Sequence, residues 1–214
     1  MAKKNNSQNK PYYSQRNNVL KPNGACNVTS MINALSSAGW PVDKLGTKKY
    51  PQPEDALMNF MMNDNTVQVA WKQIDPAGNY PPNEWHSILA LGTNLWLRSN
   101  ELLCHHKSAV EFRENVTAED IIKTIDDGGA VVCSGCFVTA GKKTLGHVVC
   151  VVGYEKTDDE ITFILDDSWG DYHDGYATPK GDDIRMSFSD FQKLLRPCGA
   201  LKKMGHIVSM FKEC

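Results

Sequence analysis

The chain has 214 residues and a formal net charge of −2. This length is enough to bury a core in one domain without disulfides or metal ions. The nearly balanced charge, without a long basic run, argues against binding to nucleic acid or to an anionic membrane surface. No segment approaches the roughly 20 apolar residues that a membrane span needs.

The ends of the chain and its cysteines bear on domain organisation and compartment. Residues 1–10 are polar, so we predict a disordered arm followed by a single domain over residues 11–214. The N-terminal segment lacks the apolar stretch of a signal peptide, and we expect synthesis in the cytoplasm. The seven cysteines are odd in number and have no framework spacing, which favours reduced thiols.

The first strong pattern along the chain is a helix with a cysteine at its start. Its apolar positions follow the i, i+3, i+4, i+7 spacing of a helical stripe: Val28, Met31, Ile32 and Leu35. Gly39 supplies a stop at the far end. The pattern therefore places Cys26 at the N-terminus of this helix.

Further helices are predicted from about residue 54, across residues 85–95 and after a Thr117 cap. From Ala130 onward the pattern changes to short β-branched runs at residues 130–132, 147–152 and 161–165. Helices followed by strands are typical of an α+β fold, so we expect an N-terminal helical lobe packed against a C-terminal antiparallel sheet.

The position of Cys26 favours a reactive thiol. A thiol attacks carbonyl carbon as the thiolate, and a helix N-terminus stabilises negative charge through its dipole and unpaired N–H groups. The alternative is a buried structural cysteine, the common fate of free thiols. Among the seven cysteines, only Cys26 opens a strong helical stripe.

His147 begins one predicted strand, and Asp166 and Asp167 end the next. The charged turn between the strands predicts a hairpin, and pairing Tyr154 with Glu160 would place His147 opposite Asp167. A shift of one in the sum of paired residue numbers would select Asp166 instead. Trp169 follows closely, either shielding this pair from water or filling the sheet edge.

The motifs together resemble the papain-like cysteine peptidases, in the branch that cleaves double-glycine bacteriocin leaders. The matching segments are Ser14-Gln15, residues 24–31, residues 146–154, Asp167-Ser168-Trp169-Gly170 and Gly175-Tyr176. The resemblance implies a papain-like fold, Cys26 as nucleophile, His147 as base, Asp167 as third triad member and Gln15 as oxyanion-hole donor. This chain departs from the pattern at Ser168, where proline is usual, and at Asn27-Val28, where Gly-Pro is usual.

Two metal sites are alternatives for other residues. Cys133 and Cys136 have the spacing of half a zinc site, with Cys104, His105 and His106 as a conceivable other half, but Cys133 continues a strand and adjacent histidines cannot easily face one ion. The acidic residues Asp166, Asp167, Asp171 and Asp174 lack the calcium-loop spacing of an EF-hand. We therefore expect no metal and no organic cofactor, with calcium at this acidic turn as the minor alternative.

The expected reaction is hydrolysis of an amide through a thioester, by a monomer. The resemblance implies that the chain is a phage or bacterial enzyme that cleaves peptidoglycan peptides, as an endopeptidase or an amidase. Such an enzyme would reach the cell wall by separate delivery, from the host cytoplasm or from a virion. One alternative is an intracellular peptidase or isopeptidase that processes a protein partner. Another is a binding module or virion component that has lost turnover, which the presence of all three triad residues disfavours. Acyl transfer to an amine is also compatible with the triad.

Overall fold

The computed structural model describes residues 1–77, 82–135, 138–139, 142–143, 146–194 and 204–213. Helices dominate the first half of the chain and strands the second, which confirms the α+β class. The helices are α1 (Cys26–Ser37), α2 (Pro53–Asn63), α3 (Asn65–Ile74), α4 (Pro82–Ser99), α5 (Ala118–Asp126) and α6 (Phe188–Leu194). The strands are β1 (Ala2–Asn5), β2 (Val110–Glu114), β3 (Ala130–Gly135), β4 (Val138–Thr139), β5 (Lys142–Lys143), β6 (His147–Lys156), β7 (Ile161–Asp166), β8 (Ile184–Ser187) and β9 (Met204–Val208).

Seven of these strands form one antiparallel sheet. Its order is β2-β9-β3-β6-β7-β8, and β1 pairs with the far half of β6. β4 and β5 form a separate two-stranded ribbon. Within the described segments, no helix combines the length and apolarity that crossing a bilayer requires.

Helices cover both faces of the large sheet. Alternate residues of β3 and β6, such as Val132 and Val148, pack with α1 in one apolar cluster. The intervening residues, such as Val131 and Val149, pack with α5 and α6 in a second cluster. Burial on both faces explains why β6 is an almost continuous apolar run without strict alternation.

Helix α1 is locked against the start of β6. Every residue of α1 after Cys26 is buried. The Ser30 hydroxyl donates to the Val148 carbonyl at 2.8 Å. Asn33 accepts from the backbone N–H of Tyr13 and donates to its carbonyl, at 2.8 and 2.9 Å. These buried hydrogen bonds fix the N-terminus of α1 relative to His147.

The predicted disorder of residues 1–10 is wrong for their first half. Ala2–Asn5 form β1, which pairs with β6 from Gly153 to Lys156. This stretch of β6 lies beyond the part that β3 covers, so the backbone groups on this edge of β6 would otherwise be unpaired. Asn6 then donates to the carbonyls of Ile125 and Gly129. The backbone makes most of these contacts, which is why side-chain hydrophobicity gave no signal.

Candidate active site

Cys26 is the first residue of α1 and carries a free, half-buried thiol. The N-cap residue, Ala25, has no side chain that can cap the helix. The first backbone N–H groups of α1 therefore keep their partial positive charge at the thiol. The candidate nucleophile is therefore a half-buried sulfur at a helix N-terminus.

His147 is the first residue of β6, and its side chain is only 8% exposed. Its Nε2 atom lies 2.7 Å from Oδ1 of Asp167. The ring also hydrogen-bonds to Cys26, for which Nδ1 is the remaining nitrogen. Burial by itself lowers the pKa of His147, but Asp167 and Cys26 outweigh burial and raise the pKa to about 10. The geometry thus favours a charged imidazolium between the Cys26 sulfur and the Asp167 carboxylate.

Asp167 follows the last residue of β7, and its carboxylate is held by several donors. Its backbone N–H donates to the carbonyl of Gly181 at 2.7 Å. Oδ1 accepts from His147 and also from the backbone N–H of Trp169 at 2.9 Å. Oδ2 accepts from the Tyr176 hydroxyl at 3.2 Å. These contacts hold the carboxylate in position to orient the imidazole.

Asp166, the other candidate from the hairpin arithmetic, is directed elsewhere. Its Oδ1 accepts from the backbone N–H of Asp183 at 3.2 Å. Burial, opposed by that hydrogen bond but reinforced by the neighbouring carboxylates of Asp182 and Asp183, raises the pKa of Asp166 to about 8. The structure therefore brings Asp167, and not Asp166, to His147.

The predicted register of the hairpin is wrong, although it selected the aspartate that contacts His147. The structure pairs Tyr154 with Phe163, and not with Glu160. The strands extend further toward the turn than predicted, to the pair Lys156–Ile161, and a β-bulge between Val151 and Gly153 shifts the rest of the ladder by one residue. The prediction assigned all the charged residues between the two strands to the turn, whereas some of them lie in the strand ends.

His147 and Asp167 are consequently not cross-strand neighbours. The last pair of the ladder is Cys150 with Asp166, so His147 lies three residues beyond it and Asp167 one. The two side chains meet because the chain leaves the sheet after Asp166 and bonds to Gly181. The turn after Asp166 and the reach of the His147 side chain therefore make the contact, and not the direct cross-strand pairing that the sequence suggested.

Gln15 is buried in the loop that precedes α1. Its backbone N–H donates to the carbonyl of Ser168 at 2.9 Å, and its Oε1 accepts from the Ser168 hydroxyl at 2.7 Å. Its Nε2 donates to the carbonyl of Pro22 at 2.8 Å, four residues before Cys26. One amide hydrogen remains for another acceptor. The oxyanion-hole role of Gln15 stays a prediction that this arrangement allows.

The structure adds Tyr176, whose role in holding Asp167 was missed from the sequence. Besides its hydrogen bond to Asp167, its ring packs edge-on against the His147 ring, with centroids 6.1 Å apart. Its φ of 67° follows a φ of 70° at Gly175, so two left-handed residues turn the ring inward. The Gly-Tyr pair was the available signal.

Trp169 was predicted to shield the His147–Asp167 bond or to fill the sheet edge. The structure shows a third contact: the Arg16 guanidinium lies over the Trp169 ring, 4.8 Å from its centroid. Arg16 also donates to the carbonyl of Tyr176 at 2.6 Å. Trp169 is part of the scaffold that joins the Gln15 loop to the Asp167 loop, and shielding stays a prediction.

The residues of the zinc alternative have other environments. Cys104 is disulfide-bonded, which also corrects the expectation of reduced thiols throughout. Cys133 is a free thiol buried in β3, and burial raises its pKa to about 12. His105 and His106 are exposed, and Cys136 lies outside the described residues. Because a disulfide sulfur is not a thiolate ligand, Cys104 cannot serve in the zinc alternative, which the sequence already disfavoured.

The acidic stretch is divided between separate tasks. Asp171 accepts from the backbone N–H of His173, and Asp174 from that of Thr178, so both stabilise turns. Carboxylate oxygens of Asp166, Asp182 and Asp183 lie within 4.8 Å of one another. This group differs from the four aspartates that were compared with an EF-hand in the sequence. Exposed lysine charge at Lys180 offsets part of this group, through a 2.9 Å contact with Asp182.

Comparisons with known proteins show the family and the fold of the chain. The model of the Peptidase C39-like family matches residues 7–193, which contain the whole candidate site. No curated protein matches the chain significantly. A solved structure from Bacillus anthracis, described as a C39-like peptidase, is 17% identical with a TM-score of 0.58, over 99% of this chain and 100% of that chain. This likeness supports the fold.

A second structure, of the mite allergens Blo t 1 and Der p 1, is 14% identical and covers 98% of this chain and 71% of that one. Its TM-score is 0.44. The family model spans most of the sequence, and the papain-like arrangement of helical lobe and antiparallel sheet accompanies it. The chain therefore belongs to the Peptidase C39-like family and is a cysteine peptidase of the papain-like superfamily.

Proposed function

We propose that the chain hydrolyses peptide amides with Cys26 as nucleophile, His147 as acid and base, and Asp167 as the residue that orients His147. The observation that carries the proposal is the buried 2.7 Å hydrogen bond between His147 and Asp167, with the Cys26 thiol bonded to the same ring. This is the arrangement that nucleophilic catalysis by a thiol requires.

The reaction proceeds in two halves. The Cys26 thiolate attacks the carbonyl carbon, while the Gln15 amide and the Cys26 backbone N–H donate to the oxyanion. His147 gives its proton to the leaving amine as the C–N bond breaks, which leaves a thioester. Water, deprotonated by His147, then attacks the thioester, and the carboxylic acid product leaves with regeneration of the thiolate. Acyl transfer follows instead if an amine takes the place of water.

Peptidoglycan peptides are the first candidate substrate, as the family resemblance implies. The disulfide at Cys104 supports action outside a reducing cytoplasm. We place synthesis in the cytoplasm and action at the cell wall, after separate delivery from the host cell or a virion. Release of new amino groups from purified peptidoglycan tests this substrate.

A second candidate is processing of a protein or peptide partner, which a particular observation favours. A cavity of about 510 Å³ next to the start of α1 is lined by both apolar and polar residues: Lys21, Gly24, Asn27, Val28, Met58, Met61, Met62, Gln68 and Trp71. Its methionine and tryptophan side chains can pack against apolar side chains of a polypeptide. Trapping of a partner by the Cys26→Ala variant tests this candidate.

The catalytic proposal has a direct test. Cys26→Ala and His147→Ala should each abolish peptide hydrolysis and reaction with an electrophilic thiol probe at Cys26, with an unchanged circular dichroism spectrum. His105→Ala is the matched control, because His105 is exposed and far in sequence from the site, and it should retain full activity. A Cys26→Ala protein that still hydrolyses peptides would overturn the proposal.

A further inference from the structure

The backbone of Asp167 meets that of Gly181 just beyond the end of the β7–β8 ladder. The ladder ends at the pair Leu165–Ile184, and a regular continuation would place Asp182 opposite Asp167. Instead, the Asp167 N–H donates to the Gly181 carbonyl at 2.7 Å. A Cβ at position 181 would overlap the carbonyl oxygen of Asp167, so this close approach requires glycine. The chain therefore leaves the sheet at Asp167, one position out of register.

Tyr12 completes the contact between these two backbones. Facing residues of an antiparallel pair can exchange two N–H···O=C hydrogen bonds, and Asp167 and Gly181 make only one of them directly. The Tyr12 hydroxyl bridges the other: it donates to the Asp167 carbonyl at 2.6 Å and accepts from the Gly181 N–H at 3.1 Å. A side-chain hydroxyl thus takes the place of the second backbone hydrogen bond.

The surroundings of Tyr12 keep its hydroxyl protonated. Burial raises the pKa of Tyr12 above its ordinary value, opposed by the hydrogen bond from the Gly181 N–H and reinforced by the carboxylates of Asp167 and Asp166. A neutral hydroxyl donates and accepts at the same time, as the bridge requires. The bridge therefore persists at least to about pH 10.

The segment that begins at Tyr12 also binds the residue after Asp167. The Ser14 hydroxyl and the Gln15 N–H both donate to the Ser168 carbonyl, at 3.3 and 2.9 Å. Residues 12–15 therefore hold two consecutive carbonyls of the loop that carries the Asp167 carboxylate. Tyr12 holds the carbonyl that belongs to Asp167 itself.

We propose that Tyr12 is a positioning residue of the active site, whose hydroxyl fixes the backbone of Asp167 so that the carboxylate reaches His147. The Asp167 carbonyl and the Gly181 N–H belong to buried residues. Without the hydroxyl, these two groups lose their partner, or the chain shifts until they meet each other directly. Either change displaces the Asp167 carboxylate from Nε2 of His147. This inference rests on the proposed function and adds a residue to it.

The test is Tyr12→Phe in the full chain, assayed with a fluorogenic peptide chosen from a library because the wild type cleaves it. We expect kcat to fall about tenfold or more and KM to stay within about twofold, since misplacement of a catalytic group affects the chemical step. The alkaline limb of kcat/KM should move to lower pH, because burial lowers the pKa of His147 and contact with Asp167 raises it.

A double variant separates positioning from a general loss of structure. Tyr12→Phe combined with Asp167→Asn should be no slower than Asp167→Asn alone, because the hydroxyl acts through that carboxylate. 4-Aminophenylalanine in place of Tyr12 keeps a donor for the Asp167 carbonyl and should recover part of the lost kcat.

Tyr13→Phe is the matched control, because Tyr13 is also half-buried and its hydrogen bonds to Asn33 are made by its backbone. It should retain the wild-type kcat and alkaline limb. Wild-type kcat in Tyr12→Phe, an equal loss in Tyr13→Phe, no recovery with 4-aminophenylalanine, or a further loss in the double variant would overturn the positioning role and leave the catalytic proposal intact. Wild-type kcat in Asp167→Asn would instead overturn the proposed function, and the role of Tyr12 with it.

Discussion

The hydroxyl of Ser168 donates to Oε1 of Gln15 at 2.7 Å, and both side chains are almost completely buried. The backbone N–H of Gln15 donates in return to the Ser168 carbonyl. Because a hydroxyl donates to the amide oxygen, the orientation of the Gln15 amide is fixed, with Nε2 toward the loop before Cys26. Proline, usual at position 168 in the resembling motif, has no hydroxyl. In this chain Ser168 orients the proposed oxyanion donor.

We predict that Ser168→Ala lowers kcat roughly threefold to tenfold with little change in KM, because one buried neutral hydrogen bond is lost. Gln15→Ala should lower kcat by about 10²–10³-fold, the effect of losing an oxyanion donor. In the Gln15→Ala background, Ser168→Ala should have no further effect. Steady-state kinetics of the two single variants and the double variant measure this coupling.

Two controls separate this coupling from a general loss of structure. Ser189→Ala removes a hydroxyl from an exposed serine and should leave kcat unchanged. Reaction of Cys26 with iodoacetamide needs no oxyanion hole, so Ser168→Ala should alkylate at the wild-type rate. Additive losses in the double variant would show that Ser168 does not act through Gln15.

The second prediction concerns the pH dependence of the reaction. Interaction with Asp167 and Cys26 overcomes burial and raises the pKa of His147 to about 10. The imidazolium is needed to protonate the leaving amine, so activity should persist through neutral pH and fall as the pH rises through about 10. Asp167→Asn removes the main charge that raises this pKa, and the alkaline limb of kcat/KM should move to lower pH.

Values of kcat/KM measured across pH 6 to 11 give the position of the alkaline limb. We expect the activity of Asp167→Asn to be lower than that of the wild type by up to about 10³-fold. Asp174→Asn is a suitable control, since Asp174 is exposed and accepts from Thr178, away from the imidazole. An alkaline limb that stays near pH 10 in Asp167→Asn would contradict the assignment of Asp167 as the partner of His147.

Local patterns in the sequence were enough to predict the helix and strand that carry the first two catalytic candidates. The stripe of α1 depends only on 3.6-residue spacing, and β6 on an apolar run that begins at His147. The hairpin register was not predicted, because it depends on a β-bulge between Val151 and Gly153, for which Gly153 was the available signal. The predicted register, which the structure does not have, nevertheless pointed to Asp167, the aspartate that lies 2.7 Å from His147.

Other features depend on contacts between distant segments. β1 forms because its backbone completes an unpaired stretch of β6, which no side-chain pattern reports. Tyr176 reaches Asp167 through a left-handed turn at Gly175, and Ser168 reaches Gln15 across 153 residues. Such contacts need the tertiary structure, although the identity of Gly175 and Tyr176 indicated a turn.

The last prediction concerns Asp166, which lies next to the proposed triad but outside it. Burial and the neighbouring carboxylates of Asp182 and Asp183 raise its pKa to about 8 in the folded protein, despite a hydrogen bond from the Asp183 N–H. In the unfolded chain the pKa of an aspartate is about 4. Between these values the folded state holds a proton that the unfolded state lacks, so the free energy of unfolding falls as the pH rises.

We expect this contribution to stability to be fully present below about pH 4 and to be lost as the pH rises through about 8, with a slope on the order of 1 kcal/mol per pH unit. Asp166→Asn keeps an acceptor for the Asp183 N–H and removes the titration. Urea denaturation from pH 5 to pH 9 should therefore show a shallower decline in this variant, whereas the exposed Asp158→Asn should follow the wild type. Identical pH profiles of Asp166→Asn and the wild type would show that Asp166 is ionised at neutral pH despite its burial.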